Sequence, residues 1–228
     1  MNVLVVCAHP DDEVLGAGGT LAKHNIAGDN VYSCLLCEQA TIRNTKPEHE
    51  SLLKQVNEAA NIIGIKETMF FDFPDIRLNI VPILELVQSI EHAVIKFKPE
   101  VIYTHHTGDL TDDHKIVFDA TMTAVRLPER RTRKELPSDL IKEVLCFEVP
   151  SATDWAVPLS GQVFRPNVFV DIKNTLKLKI KALEQYEKII KEFPHPRSVE
   201  NLETLAKYRG AQSGYELAES FMLMRMLR

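Results

Sequence analysis

An imidazole and three carboxylates stand together at His9-Pro10-Asp11-Asp12-Glu13, directly after the apolar run Val3 to Ala8. A continuous apolar run fits a strand buried on both faces of a parallel sheet. Ligands of such sheets bind just beyond the carboxyl ends of the strands. So much acid at the end of a buried strand is electrostatically costly unless a cation sits there. His9 and Asp12 therefore read as metal ligands, with Asp11 left over for chemistry; the alternative is a hydrogen-bonded structural pair. Val101 to Thr104 reads as a second short buried strand, and it ends in His105-His106, with Asp112-Asp113-His114 close behind. A His-x-x-Asp from one strand end plus a His from another gives three protein ligands and an open position for water. That is the catalytic rather than the structural zinc arrangement.

The rest of the chain supplies the frame. Helix one is expected from after Leu15 to about Ile26, ending at Gly28, followed by a strand at Val31 to Cys37. Glu48 to Ile63 reads as a helix capped by Gly64, Thr68 to Asp72 as a strand, Val81 to Phe97 as a helix, and about Lys115 to Arg126 as another. This alternation implies an α/β fold with a mostly parallel sheet and helices on both faces, joined by right-handed crossovers. Further on, Leu127 to Ser138 reads as a surface loop, Glu143 to Glu148 and Asn167 to Asp171 as strands, and Val199 to Arg209 as a helix. Thr175 to Lys191 reads as one long amphipathic helix with Asn174 as its N-cap.

At Ala8 to Glu13 (AHPDDE), Gly16-Ala17-Gly18-Gly19 and Asp113-His114 the chain resembles the zinc-dependent N-deacetylases of the LmbE and PIG-L type. The resemblance extends over most of the chain, including Ala218-Glu219-Ser220-Phe221. It implies one Rossmann-like domain over residues 1–228, and a hydrolase that removes the N-acetyl group from an acetamido sugar or its glycoside. It also implies one Zn²⁺ per chain on His9, Asp12 and His114, with Fe²⁺ or Co²⁺ also suited to such ligands, and Asp11 as general base. Asp113 precedes a ligand and can orient a nearby imidazole. Many relatives carry His-Pro-Asp-His where this chain has Thr111-Asp112-Asp113-His114, so Thr111 takes the place of the oxyanion-side histidine, and either another group (His105, His106 or His195) does that work or the metal does it alone. His195, fixed between Pro194 and Pro196, is the first candidate, and His106 the second.

Arg43, following the second strand, could contact substrate hydroxyls; Trp155 could stack on a sugar face or fill a core. The glycines at 16, 18 and 19 lack the spacing of a dinucleotide loop, and the neighbouring acids would repel a pyrophosphate, so they read as close-packing residues of the first helix. Cys7, Cys34, Cys37 and Cys146 lie in strand-like runs and read as buried reduced thiols; Cys34 and Cys37, three apart in a strand, should face opposite ways. A net charge of −5 and no basic stripe beyond Arg130 to Lys134 exclude a nucleic-acid partner, and no run reaches membrane-spanning length. The partner is then a small N-acetylated sugar or glycoside, the location cytoplasmic, and a homo-oligomer is left open. Two other readings also stay open: an N-deacylase of another amide such as an acylated antibiotic, and a non-catalytic sugar- or metal-binding protein.

Overall fold

The structure, a computed structural model, describes residues 1–39, 49–126, 141–157 and 163–228. One seven-stranded sheet organises them, in the order β3-β2-β1-β4-β5-β7-β6. The strands are β1 Asn2–Cys7, β2 Asn30–Gln39, β3 Ile65–Pro74, β4 Val101–His105, β5 Glu143–Phe147, β6 Val168–Asp171 and β7 Ala218–Met226. The first five run parallel, and β7 lies antiparallel between β5 and β6. Helices are α1 Asp12–Ile26, α2 His49–Ile63, α3 Ile83–Phe97, α4 Asp112–Val125, α5 Leu176–Leu183 and α6 Val199–Ser213. No helix among the described residues is long and apolar enough to cross a membrane.

The period of two along β1 explains the layers. Val3, Val5 and Cys7 face a core built with α1, α2 and α5, while Leu4 and Val6 face one built with α3 and α4. Strand order reverses at β1, which has β2 on one side and β4 on the other. The carboxyl ends of β1 and β4 therefore open on a topological switch point, the crevice where ligands of such sheets bind.

The glycines of α1 are there for close approach. A Cβ on Gly16 would lie 2.2 Å from Cδ2 of Phe147 on β5, and one on Gly19 would lie 2.9 Å from Cγ2 of Ile172. A buried ion pair presses on the same stretch. Lys179 Nζ donates to Glu219 (2.7 Å) and to the Leu15 carbonyl (2.8 Å), while Glu219 accepts the N–H groups of Gly19 and Thr20.

Several expectations need correction. The first helix begins at Asp12, not after Leu15. The long helix over 175–191 stops at Leu183, and its N-cap is Thr175 rather than Asn174. Beyond it the chain leaves the helix so that Tyr186 reaches Glu13 and the Glu187 N–H donates to Gln55, and Lys188 takes a positive φ of 61°. All four cysteines are free and buried, but Cys34 and Cys37 belong to the same core layer. A register shift between Leu35 and Cys37 breaks the alternation between them. The expected loop over 127–138, with its basic cluster, lies outside the described residues.

Gly16→Ala should destabilise the protein by about 1–3 kcal/mol despite the better helix propensity of alanine, because the added methyl meets a fully buried ring. Urea unfolding measures it; an unchanged midpoint would mean that Phe147 moves aside freely.

Candidate metal centre

The first turn of α1 and the first turn of α4 bring the site together. Asp11 is the N-cap of α1 with φ 104°, a conformation rare for a residue with a side chain. Its N–H donates to Glu13 Oε2 (3.1 Å), and Glu13 in turn accepts from the Tyr186 hydroxyl. Burial pushes the Glu13 carboxyl up to about 8, with the Tyr186 bond partly offsetting it. The acids thus stand in a backbone turn that the structure over-determines.

Asp12 Oδ2 is the point of convergence. It accepts the His9 N–H (3.0 Å), and it lies 3.2 Å from His9 Nδ1 and 3.2 Å from His114 Nε2. Each imidazole has its other nitrogen on a carboxylate. His9 Nε2 is 2.8 Å from Asp75 and 3.1 Å from Asp113, and His114 Nδ1 is 3.1 Å from Asp109. Such outer carboxylates fix the tautomer and turn a lone pair inward. Two lone pairs aimed at one carboxylate repel unless a proton or a cation lies between them. Burial works against a charge on His114, but Asp12 and Asp109 outweigh it and hold its pKa up at about 9.

One ligand atom from each of His9, Asp12 and His114 falls within 4.8 Å of the others. Two nitrogens and one oxygen fit a divalent ion with a fourth position for water. His9, Cys37 and Asp113 form a second group of the same tightness, but it suits a cation less well. Asp113 already accepts the N–H groups of Ile76 (2.6 Å) and Leu78 (3.1 Å), and burial pushes the Cys37 thiol up to about 12. Below the centre, His105 stacks on His114 with ring centroids 3.8 Å apart and accepts the Ala8 N–H at Nε2. Burial, and then the neighbouring His114, hold its pKa well below that of an ordinary imidazole.

The structure gathers His9, Asp11, Asp12, Asp113 and His114 at the two strand ends. His106 is buried beside them, its Nδ1 accepting the Gly108 N–H (3.1 Å) and its ring meeting Phe164 edge-on. His195 does not join them. It is exposed, and its Nδ1 accepts the N–H of Arg197 (3.0 Å). Trp155 is 67% exposed, which excludes its reading as a core residue. Arg43 lies outside the described residues. Sequence reading missed Asp75, Asp109, Tyr186 and Arg197. Asp109 had a local signal, five residues before His114 in the loop that leads into α4; the others meet the site only through the fold.

With the geometry in place, comparison with known proteins is informative. The family model described as GlcNAc-PI de-N-acetylase matches residues 4–125, which carry both strand ends. A diacetylchitobiose deacetylase from Thermococcus kodakarensis is 26% identical over 231 residues, covering 96% of this chain and 81% of its own. A conserved protein from Thermus thermophilus superposes with TM-score 0.81 at 24% identity, covering 100% of this chain and 96% of that one. A 4-carboxy-2-hydroxymuconate hydratase from Pseudomonas putida superposes with TM-score 0.79 at 20% identity, covering 100% and 98%. At these identities the two solved structures show the fold alone.

Asp109→Ala should weaken binding of a divalent cation about 10–100-fold, because His114 loses the carboxylate that orients it. Calorimetric titration of the metal-free protein with Zn²⁺ is the check. Undiminished affinity would show that His114 needs no outer partner.

Proposed function

We infer, because this chain belongs to the PIG-L family of GlcNAc-PI de-N-acetylases, that it is a zinc-dependent hydrolase releasing acetate from an N-acetylated amino sugar or its glycoside. The observation that carries this reading is the pairing of two kinds of carboxylate at one strand end. Asp12 faces two imidazoles whose outer nitrogens are held, while Asp11, next in the chain, adopts a positive φ and lies outside the converging ligand set. The first belongs to a cation and the second is left for proton transfer. A binding remnant has no need of the second, so the non-catalytic reading loses ground.

When bound by His9, Asp12 and His114, a divalent cation supplies Lewis acidity that polarises the acyl carbonyl and lowers the pKa of water from about 15.7 to about 7. Asp11 takes the proton of the attacking water as the new carbon–oxygen bond forms. The carbon–nitrogen bond then breaks, and that proton passes to the departing amine, leaving acetate and a free amino sugar. Asp113 and Asp75 fix the His9 ring, and Asp109 that of His114, so the donors do not reorganise during turnover.

The same fold is also worn by a hydratase, so the sheet does not choose between hydrolysing an amide and adding water to a carbon–carbon double bond. The family and the acetylated sugar in the name of the Thermococcus relative favour the amide. The four buried thiols suit a reducing compartment, and we place the enzyme in the cytoplasm.

A panel of N-acetylglucosamine, N,N′-diacetylchitobiose and N-acetylglucosaminides, with enzymatic detection of acetate, tests the reading. We expect release from at least one member, abolished by a chelator and restored by Zn²⁺; silence across the panel overturns it. On the responsive substrate, Asp11→Asn should lower kcat by about 10²–10⁴ with metal content kept. Near-normal turnover would remove Asp11 from the base role.

A further inference from the structure

The loop between α5 and α6 was expected to deliver a histidine to the site, and it delivers an arginine. Arg197 Nη1 donates to Asp11 Oδ2 (3.2 Å), and Arg197 Nε donates to Ser151 Oγ (2.9 Å). The two side chains of the ion pair are 15% and 6% exposed, so the contact is largely withdrawn from solvent screening. Both ends of this bridge are built. Ser151, in the turn after β5, has a φ of 74°, unusual for a side-chain-bearing residue. Arg197 is followed by Ser198, which caps α6 by accepting the Asn201 N–H, and lies two residues after His195, whose ring accepts the Arg197 N–H. The side chain of His195 is thus used to turn the loop, and Arg197 is the residue turned inward.

We propose that Arg197 is the positioning residue of Asp11: a guanidinium fork anchored on Ser151 that holds the carboxylate in its reacting orientation and fixes a positive charge on that side of the site. This rests on the assignment of Asp11 as the base. Asp11 is then held by Glu13 at its backbone N–H and by Arg197 at its side chain. A planar fork suits this task because its donors diverge in one plane to two acceptors; a lysine offers only a point charge.

The test uses the full-length zinc enzyme and the responsive acetylated sugar of the panel. Arg197→Ala should lower kcat about 10²-fold, as expected of a displaced reacting group, with KM and metal content little changed. Added guanidinium ion should restore part of the rate, and Arg197→Lys should fall between Ala and wild type. Ser151→Gly tolerates the positive φ and removes the hydroxymethyl group that anchors Arg197, and should cost less than Arg197→Ala. Unchanged kcat in Arg197→Ala, a loss carried wholly by KM, failure of guanidinium to rescue, or a comparable kcat loss in His106→Ala alone would each overturn the assignment. A double-mutant cycle of Arg197→Ala and Asp11→Asn in urea unfolding reads the bridge without any substrate. We expect the two to be non-additive. Additivity overturns the clamp even if acetate is released, whereas coupling in a protein that releases none would sink the deacetylase reading and leave the clamp standing.

Discussion

Charge balance around a single oxygen, Asp12 Oδ2, is the constraint on which the rest of this structure depends. Two imidazoles and a backbone N–H converge on it in a buried place. A carboxylate there needs a compensating positive charge, and it can have one only if the imidazoles are aimed by partners of their own. That requirement draws Asp75, Asp109 and Asp113 inward, and those acids must be satisfied in turn. Asp113 takes two backbone N–H groups from the turn after β3, where Ile76 adopts a φ of 56° that a β-branched residue rarely accepts. Asp109 takes the Thr111 N–H and the Thr153 hydroxyl. Loops after four of the parallel strands are thereby tied to one point.

The sheet makes that convergence possible. Because β1 and β4 are neighbours, the helices that follow them leave for opposite faces and their first turns frame one crevice. Acids in a first helical turn also meet the positive end of the helix dipole, which favours Asp12 in α1 and Asp113 in α4. The glycines of α1 let β5 and the Lys179–Glu219 pair approach its backbone, holding the helix that carries Asp12.

What was readable from sequence is what is local. The apolar run of β1, the His-x-x-Asp after it and the pair Asp113-His114 lie within a few residues of the elements that place them. Asp75, Tyr186 and Arg197 carry no such signal, since each meets the site only after long crossovers have closed. β7 was hidden for a related reason. Its Glu219 and Ser220 are buried polar residues satisfied by Lys179 and Glu148, so they blur the pattern a strand would show. The long helix over 175–191 failed the opposite way: its helical pattern is real, but the bond from Tyr186 to Glu13 overrides it. The Pro-His-Pro turn marked a loop that does reach Asp11, but through the Arg197 side chain, while the exposed His195 ring accepts the Arg197 N–H.

The bridge from Arg197 to Asp11 joins residues 186 positions apart in the chain. During synthesis the first strand and its acids leave the ribosome long before the loop that holds Asp11, and β7, whose Glu219 braces α1, comes later still. The nascent amino-terminal half can pair β1, β2 and β4, yet it lacks the residues that hold Asp11 and brace α1. A product truncated before Arg197 would keep the side chains of His9, Asp12 and His114 without the bridge to Asp11. Synthesis through Arg197 and β7 is therefore what separates a chain with only the converging imidazoles and carboxylates from one in which Asp11 and α1 are also held.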